Sequence, residues 1–258
     1  LGTAHRFALW PLMFMGEVVE INRRLPRLLK EARERDDLYE ETNLSLAVRT
    51  FVRLAADEPA RARRELAEVM EKWSHQGFHV QHMNRLFDEA QIDLYLGDGE
   101  TAWRRLADAW PALEQSHLMR VQQIRILMLH LRARCALTIT GAGKDVDSWL
   151  RRAERDVRSL HREKLAWADA LAQLVEAGIA FRRGDGKRSG EMLATAAAGF
   201  TTTDMHLYAA IARRRHGQLI EGTAGEALVR QAEEWMNAQQ IHNLDRMMTL
   251  LAPGWAET

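Results

Sequence analysis

Three histidines stand close together in this 258-residue chain: His75, His79 and His82, the last two about one helical turn apart. Imidazole is a common metal ligand, but a metal site needs three or four donors converging from fixed directions. A carboxylate such as Asp88 would have to join from a later turn, and the spacing matches no zinc signature. Gly77 places His75 in a loop, so the cluster reads as a solvated loop and a helix start. The acidic run Asp36-Asp37-Leu38-Tyr39-Glu40-Glu41 has the look of a magnesium–diphosphate motif of all-helical terpene synthases. Those enzymes need a second triad of Asn or Asp, Ser or Thr, and Glu at helical spacing, and none follows. The run reads instead as a turn whose acids favour the next helix N-terminus.

Two Gly-Asp-Gly turns, at Gly97-Asp98-Gly99 and Gly184-Asp185-Gly186, invite a calcium or a phosphate reading. A calcium loop alternates acids over a dozen residues and ends in Glu, and neither turn does. A phosphate loop follows a strand, and strand signals are almost absent. Both turns therefore punctuate helices. Cys135 is the single cysteine, which excludes an internal disulfide, and its helical, apolar setting reads as a buried inert thiol. Arginine pairs at 23, 63, 104, 151 and 182 and the triple Arg213-Arg214-Arg215 suggest a nucleic-acid track. Acids interleave with them (Glu65, Glu68, Asp108, Glu154, Asp156, Asp185), and 36 Lys plus Arg balance 36 Asp plus Glu. Ion-paired solvated faces fit better than a polyanion partner. No residue is assigned a catalytic, cofactor-binding or metal-binding role, and no cofactor is expected.

What positions these residues is a recurring phrase. Gly16 and Gly97 each precede Arg-Arg-Leu by seven residues, and the Arg-Arg pairs begin at 23, 63, 104 and 151. A period of about 40 to 47 residues is that of stacked helix pairs, none of which buries its apolar face alone. In residues 80–97, Val80, Met83, Phe87, Ala90 and Leu94 form one apolar stripe, after which Gly97 ends the helix and Asp98 or Gly99 starts the next. The same logic predicts helices over 4–15, 18–35, 39–55, 58–74, 80–97, 100–113, 116–139, 146–161, 165–183, 187–200, 203–218, 224–239 and 243–251. Thr202 or Thr203 and Asn243 are predicted N-caps, Pro59 sits in a first turn, and Pro26 and Pro111 predict a kink or boundary. Trp73, Trp103, Trp110, Trp149, Trp167 and Trp235, flanked by Ala and Leu, predict packing between pairs. The fold class is all-α: a tetratricopeptide-like α-solenoid of about six antiparallel pairs in a right-handed superhelix. It forms one domain over 1–258.

Several segments resemble one family: Glu31-Ala32-Arg33-Glu34-Arg35-Asp36-Asp37-Leu38-Tyr39, Ala90-Gln91-Ile92-Asp93-Leu94-Tyr95-Leu96-Gly97-Asp98-Gly99, Ala102-Trp103-Arg104-Arg105-Leu106, Leu131-Arg132-Ala133-Arg134 and Ala153-Glu154-Arg155-Asp156. They resemble the C-terminal tetratricopeptide-like region of large bacterial serine/threonine protein kinases that carry a central signal-transduction ATPase module. The resemblance runs from about residue 10 to Pro253-Gly254 and its motifs are structural. It implies a kinase and an ATPase upstream. Neither a Gly-rich loop ending in Lys-Thr or Lys-Ser, nor His-Arg-Asp, nor Asp-Phe-Gly occurs in this chain. The chain opens at Leu1 and enters helical pattern at once, which reads as a segment of a longer cytoplasmic polypeptide. No run is long and apolar enough to predict a membrane span.

The expected function is a non-catalytic docking or sensor module that regulates the upstream kinase–ATPase. Its partner is a protein or peptide segment, the kinase and ATPase domains of its own chain included, and neither nucleic acid nor membrane. First helices of pairs line the concave face of a solenoid, so the polar stripes there are the predicted contact residues. They are Asn84, Asp88, Gln91 and Tyr95 in the third pair, Arg120, Gln123, His130 and Arg134 in the fourth, and Asp169, Gln173 and Glu176 in the fifth. Two alternatives stay open: a receptor or enzyme using the solenoid interior as a pocket, and a self-association scaffold.

Overall fold

Turn chemistry sets where each helix begins and ends. Gly97 adopts φ +78°, which closes one helix, and the Asp98 carboxylate accepts the Thr101 N–H at 3.0 Å to open the next. Asp37, Asp145 and Asp185 cap helices in the same way, and Asn243 accepts the Arg246 N–H at 3.1 Å. Pro59 occupies the first helical position as expected. The computed structural model describes residues 2–74, 76–139 and 145–255. Leu1, His75 and the Gly141-Ala142-Gly143 turn lie outside the described residues.

Among the described residues every regular element is helical. In chain order they are α1 (Gly2–Met15), α2 (Val18–Glu34), α3 (Leu38–Ser45), α4 (Val48–Ala55), α5 (Pro59–Glu71), α6 (Val80–Tyr95) and α7 (Gly99–Gln115). There follow α8 (Gln122–Ile139), α9 (Val146–Arg162), α10 (Ala166–Arg182), α11 (Gly186–Thr202), α12 (His206–Leu219), α13 (Thr223–Ala238) and α14 (Leu244–Leu251). No helix among them is long and apolar enough to cross a membrane.

Four details differ from the predicted spans. The helix over 39–55 is broken at Leu46-Ala47, where Leu46 is extended and Ala47 has φ +62°. The helix over 116–139 starts as a 3-10 turn at Leu118–Arg120, and α8 proper begins at Gln122. Thr203 ends α11, while α12 starts from Met205. Pro26 and Pro111 lie inside α2 and α7 without ending them. Each costs a ladder bond, and buried neighbours (Leu25, Leu28 and Leu29; Leu106 and Leu113) hold the helix in place.

Consecutive helices pack side by side along the chain, as in a helical repeat. Ion pairs link successive helices: Arg53 (α4) to Glu65 (α5), Arg105 (α7) to Asp93 (α6), Arg132 (α8) to Asp156 (α9), and Arg214 (α12) to Glu233 (α13). The tryptophans lie half-buried between helices; Trp103 meets Trp149 edge to face at 5.0 Å.

Two sets of contacts leave this sequential pattern. The chain returns to its start: α1 packs on α12, Gln239 Nε2 donates to Glu17 Oε2 at 3.3 Å, and the His242 N–H donates to the Ala55 carbonyl at 2.8 Å. At Gly16 (φ +83°) an added Cβ would stand 2.4 Å from Leu207 Cβ, so only glycine allows this closure. The last helix, α14, then packs on α6, α8 and α12, burying Met247, Met248, Leu250 and Leu251. It fills the interior that an open stack of pairs would leave to a partner.

Candidate functional site

Burial corrects the expected polar concave face. Asn84, Asp88, Tyr95, His130 and Arg134 are all buried and offer no surface to a partner. Asp88 is a structural cap: its Oδ2 accepts the Ala47 N–H at 2.8 Å and the Thr50 hydroxyl at 2.9 Å, across the α3–α4 break. Ala47 has no capping side chain of its own, so α6 supplies one. Burial pushes the Asp88 carboxyl up to about 7 against the pull of those two donors. Tyr95 donates to Asp57 Oδ1 at 2.9 Å, and Asp57 also accepts Asn243 Nδ2 at 3.1 Å and Arg246 Nη1 at 3.2 Å. Burial works against the Asp57 charge, yet these donors outweigh it and hold the carboxyl below its ordinary range. The network pins α14 to α6.

In the fifth pair, Asp169 and Glu176 turn towards α9. His161 Nδ1 meets Asp169 Oδ1 at 2.8 Å and its Nε2 meets Glu176 Oε1 at 3.4 Å. Burial opposes the imidazolium, but the two carboxylates prevail and raise its pKa. Gln173 is half-buried between them on α10. Arg120 and Gln123 alone of the eleven are exposed. His79 and His82 form a capping box at the start of α6, with the His79 N–H donating to His82 Nδ1 at 3.0 Å. Among the described residues no three His, Cys, Asp or Glu side chains converge as metal ligands. Burial pushes the Cys135 thiol up to about 12, far from a reactive thiolate.

Two cavities meet at Phe14. The outer one is an apolar groove of about 650 Å³, walled by Trp10, Pro11, Phe14, Ile124, Trp167 and Met205 and edged by Gln122, Gln123 and Thr203. Val121, half-exposed, projects on its rim. The starts of α8, α10 and α12 converge here. Helices α10 and α12 begin from Leu165 and Met205, whose side chains make no cap bond, unlike the Asp-capped α7, α9 and α11. Their first turns lack the side-chain acceptor that an Asp supplies elsewhere in the chain.

The inner cavity is small, about 30 Å³, and lies between α6, α8, α12 and α14. Gln91, His130, Arg134 and Tyr208 give it a polar lining within walls of Phe51, Phe87 and Leu251. Arg134 Nη1 donates to the Leu250 carbonyl at 2.8 Å, near the C-terminus of α14. Arg134 Nε, His130 Nε2 and Gln91 Oε1 are buried with no hydrogen-bond partner among the described residues. Burial and then the Arg134 charge push His130 well below its ordinary pKa, so its ring is neutral. Burial lowers Arg134 as well, but a guanidinium keeps its proton.

Sequence reasoning places Gln91, His130 and Arg134 on a polar, exposed face of their helices, whereas His130 and Arg134 are buried and Gln91 is half-buried. It missed Trp10, Phe14 and Trp167 as groove walls. A usable signal was present: Leu165 and Met205 stand where a helix start calls for Ser, Thr, Asp or Asn. The fold is all-helical and repeat-like, with an apolar groove beside a small buried cavity that carries polar groups. No protein-family model, curated protein or solved structure matches the chain.

Proposed function

We propose that this chain is a non-catalytic sensor module, a tetratricopeptide-like right-handed superhelix that regulates a kinase–ATPase upstream in the same polypeptide. Its effector is a small amphipathic molecule seated in the groove between α1 and the starts of α8, α10 and α12. One observation carries the reading: a largely apolar groove of about 650 Å³, with aromatic walls and a few polar groups at its rim. That size and lining are those of small-molecule sites, about 300–1,000 Å³. The effector reading takes precedence over protein docking because Asn84, Asp88, Tyr95, His130 and Arg134, five of the expected contact residues, are buried. The link to a kinase rests on the resemblance of the repeat segments.

Titration with alkyl carboxylates of increasing length, followed by tryptophan fluorescence, tests the groove. Saturable binding that strengthens with chain length is expected, through Trp10 and Trp167. It should fall at least tenfold in Trp167→Ala with far-UV circular dichroism unchanged. Indifference to every chain length would defeat the effector reading. Kinase and ATPase motifs in the upstream reading frame would support the regulatory part, and a frame without them would remove it.

A further inference from the structure

The inner cavity holds a fully buried arginine with no acid against it. Each of the other interior charges has a neutralising or hydrogen-bonded partner: Asp93 meets Arg63 and Arg105, Asp156 meets Arg132, and Asp88 meets two donors. Among the described residues Arg134 has only the Leu250 carbonyl as a hydrogen-bond partner. That carbonyl belongs to the negative end of the α14 dipole, equivalent to roughly half a charge, which leaves about half a unit uncompensated. An unpaired buried cation is far more costly than an unmade neutral hydrogen bond, and a guanidinium cannot escape by losing its proton. A water molecule would satisfy the Nε–H but would leave the charge.

We propose that the cavity lined by Arg134, His130, Gln91 and Tyr208 is a binding site for a small singly charged anion. Arg134 Nε–H points its unused donor at the anion. The neutral His130 ring adds a second donor as its Nε2–H tautomer, and the Gln91 amide a third when turned over to present its NH2. Amide and imidazole orientations follow from what the hydrogen-bond network needs, so both are ordinary chemistry. No carboxylate lines the cavity to repel an anion. The volume suits a halide, which is little larger than water. Phe14 walls both cavities, so the same chemistry has a second source: the carboxylate of a groove ligand reaching past that ring. The halide form stands without the sensor reading; the carboxylate form rests on it.

Thermal melting of the full chain, in sodium gluconate exchanged for sodium bromide at constant ionic strength, tests the site. Gluconate is too large to enter. A saturable rise in Tm of a few degrees is expected, and Arg134→Met should abolish it. A bromide-soaked crystal should show an anomalous peak within hydrogen-bond distance of Arg134 Nε. If octanoate raises Tm in an Arg134-dependent way and bromide does not, the anion is the groove ligand's carboxylate and the site stands. Should Arg134→Met not fold, His130→Leu keeps the guanidinium and should weaken the anion midpoint several-fold. Octanoate binding that survives Arg134→Met unchanged would keep the groove and overturn the anion site. So would responses to bromide and octanoate that are equal in wild type and both variants.

Discussion

Arg132 and Arg134 sit two residues apart on α8 and live in opposite electrostatic surroundings. Arg132 makes two bonds to Asp156, at 2.9 and 2.5 Å, and stacks its guanidinium 3.8 Å over the Trp110 ring. Arg134 points to the other side of the helix, into the interior, where among the described residues one carbonyl is its only hydrogen-bond partner and no acid lines the cavity. The outer face of α8 is thus self-contained, with charge, donors and apolar stem all matched within the chain. The inner face is unfinished. Surplus positive charge in a protein interior marks where something from outside completes the electrostatics, whereas paired charge marks structure.

Substitutions should separate the two regions by size, and pH should separate them by sign. Arg132→Met strands the buried Asp156 carboxylate and should cost about 3 kcal/mol, seen as a lowered urea midpoint. Burial already pushes the Asp156 pKa up, so part of that loss should be recovered at low pH. Asp88 offers the next largest effect through its pH dependence. Its pKa is about 7 folded, above the ordinary carboxylate value, so the native state binds its proton more tightly than the unfolded chain. Its contribution to stability is full below about pH 4 and is lost as the pH rises through 7. Glu65, where burial opposes the charge but Arg53, Arg49 and Arg61 outweigh it, and Glu163, held low by Arg125, work the other way: their contribution is present above the ordinary Glu range and lost on acidification. Asp88→Asn should therefore flatten the fall in stability between pH 4 and 7 by a few kcal/mol, measured by denaturant unfolding at each pH.

Arg134→Met, in gluconate, removes an unpaired cation and one hydrogen bond together, so the net change should lie within about 1 kcal/mol of zero. A loss matching that of Arg132→Met would erase the distinction between the two faces. The smallest effect belongs to a solvated pair, Arg85 with Glu89 at 2.9 Å one turn apart on α6. Arg85→Ala should move stability by no more than about 0.5 kcal/mol, and salt should shrink even that.

Much of the fold is legible in the sequence. Gly97-Asp98, Pro59 and Asn243 announce helix ends by local chemistry, and the apolar stripe of residues 80–94 announces α6. The break at Leu46-Ala47 was not legible, because the carboxylate that caps it comes from Asp88, 41 residues later in sequence. Asp169 and Glu176 were read as a concave stripe, but His161 on the preceding helix draws them to another side.

By itself the sequence determined the helices, their order and the polar or apolar character of each face. Those depend on backbone dihedrals, capping groups and a 3.6-residue period, all set within a few neighbouring residues. Only the tertiary structure decided that the last helix would fill the interior and that α1 would close on α12. A polar stripe opposite an apolar one looks solvated in sequence, and α14 turned this one into a buried wall. Burial depends on what packs across a face, so the same arginine becomes a matched surface ion at 132 and an unmatched interior cation at 134.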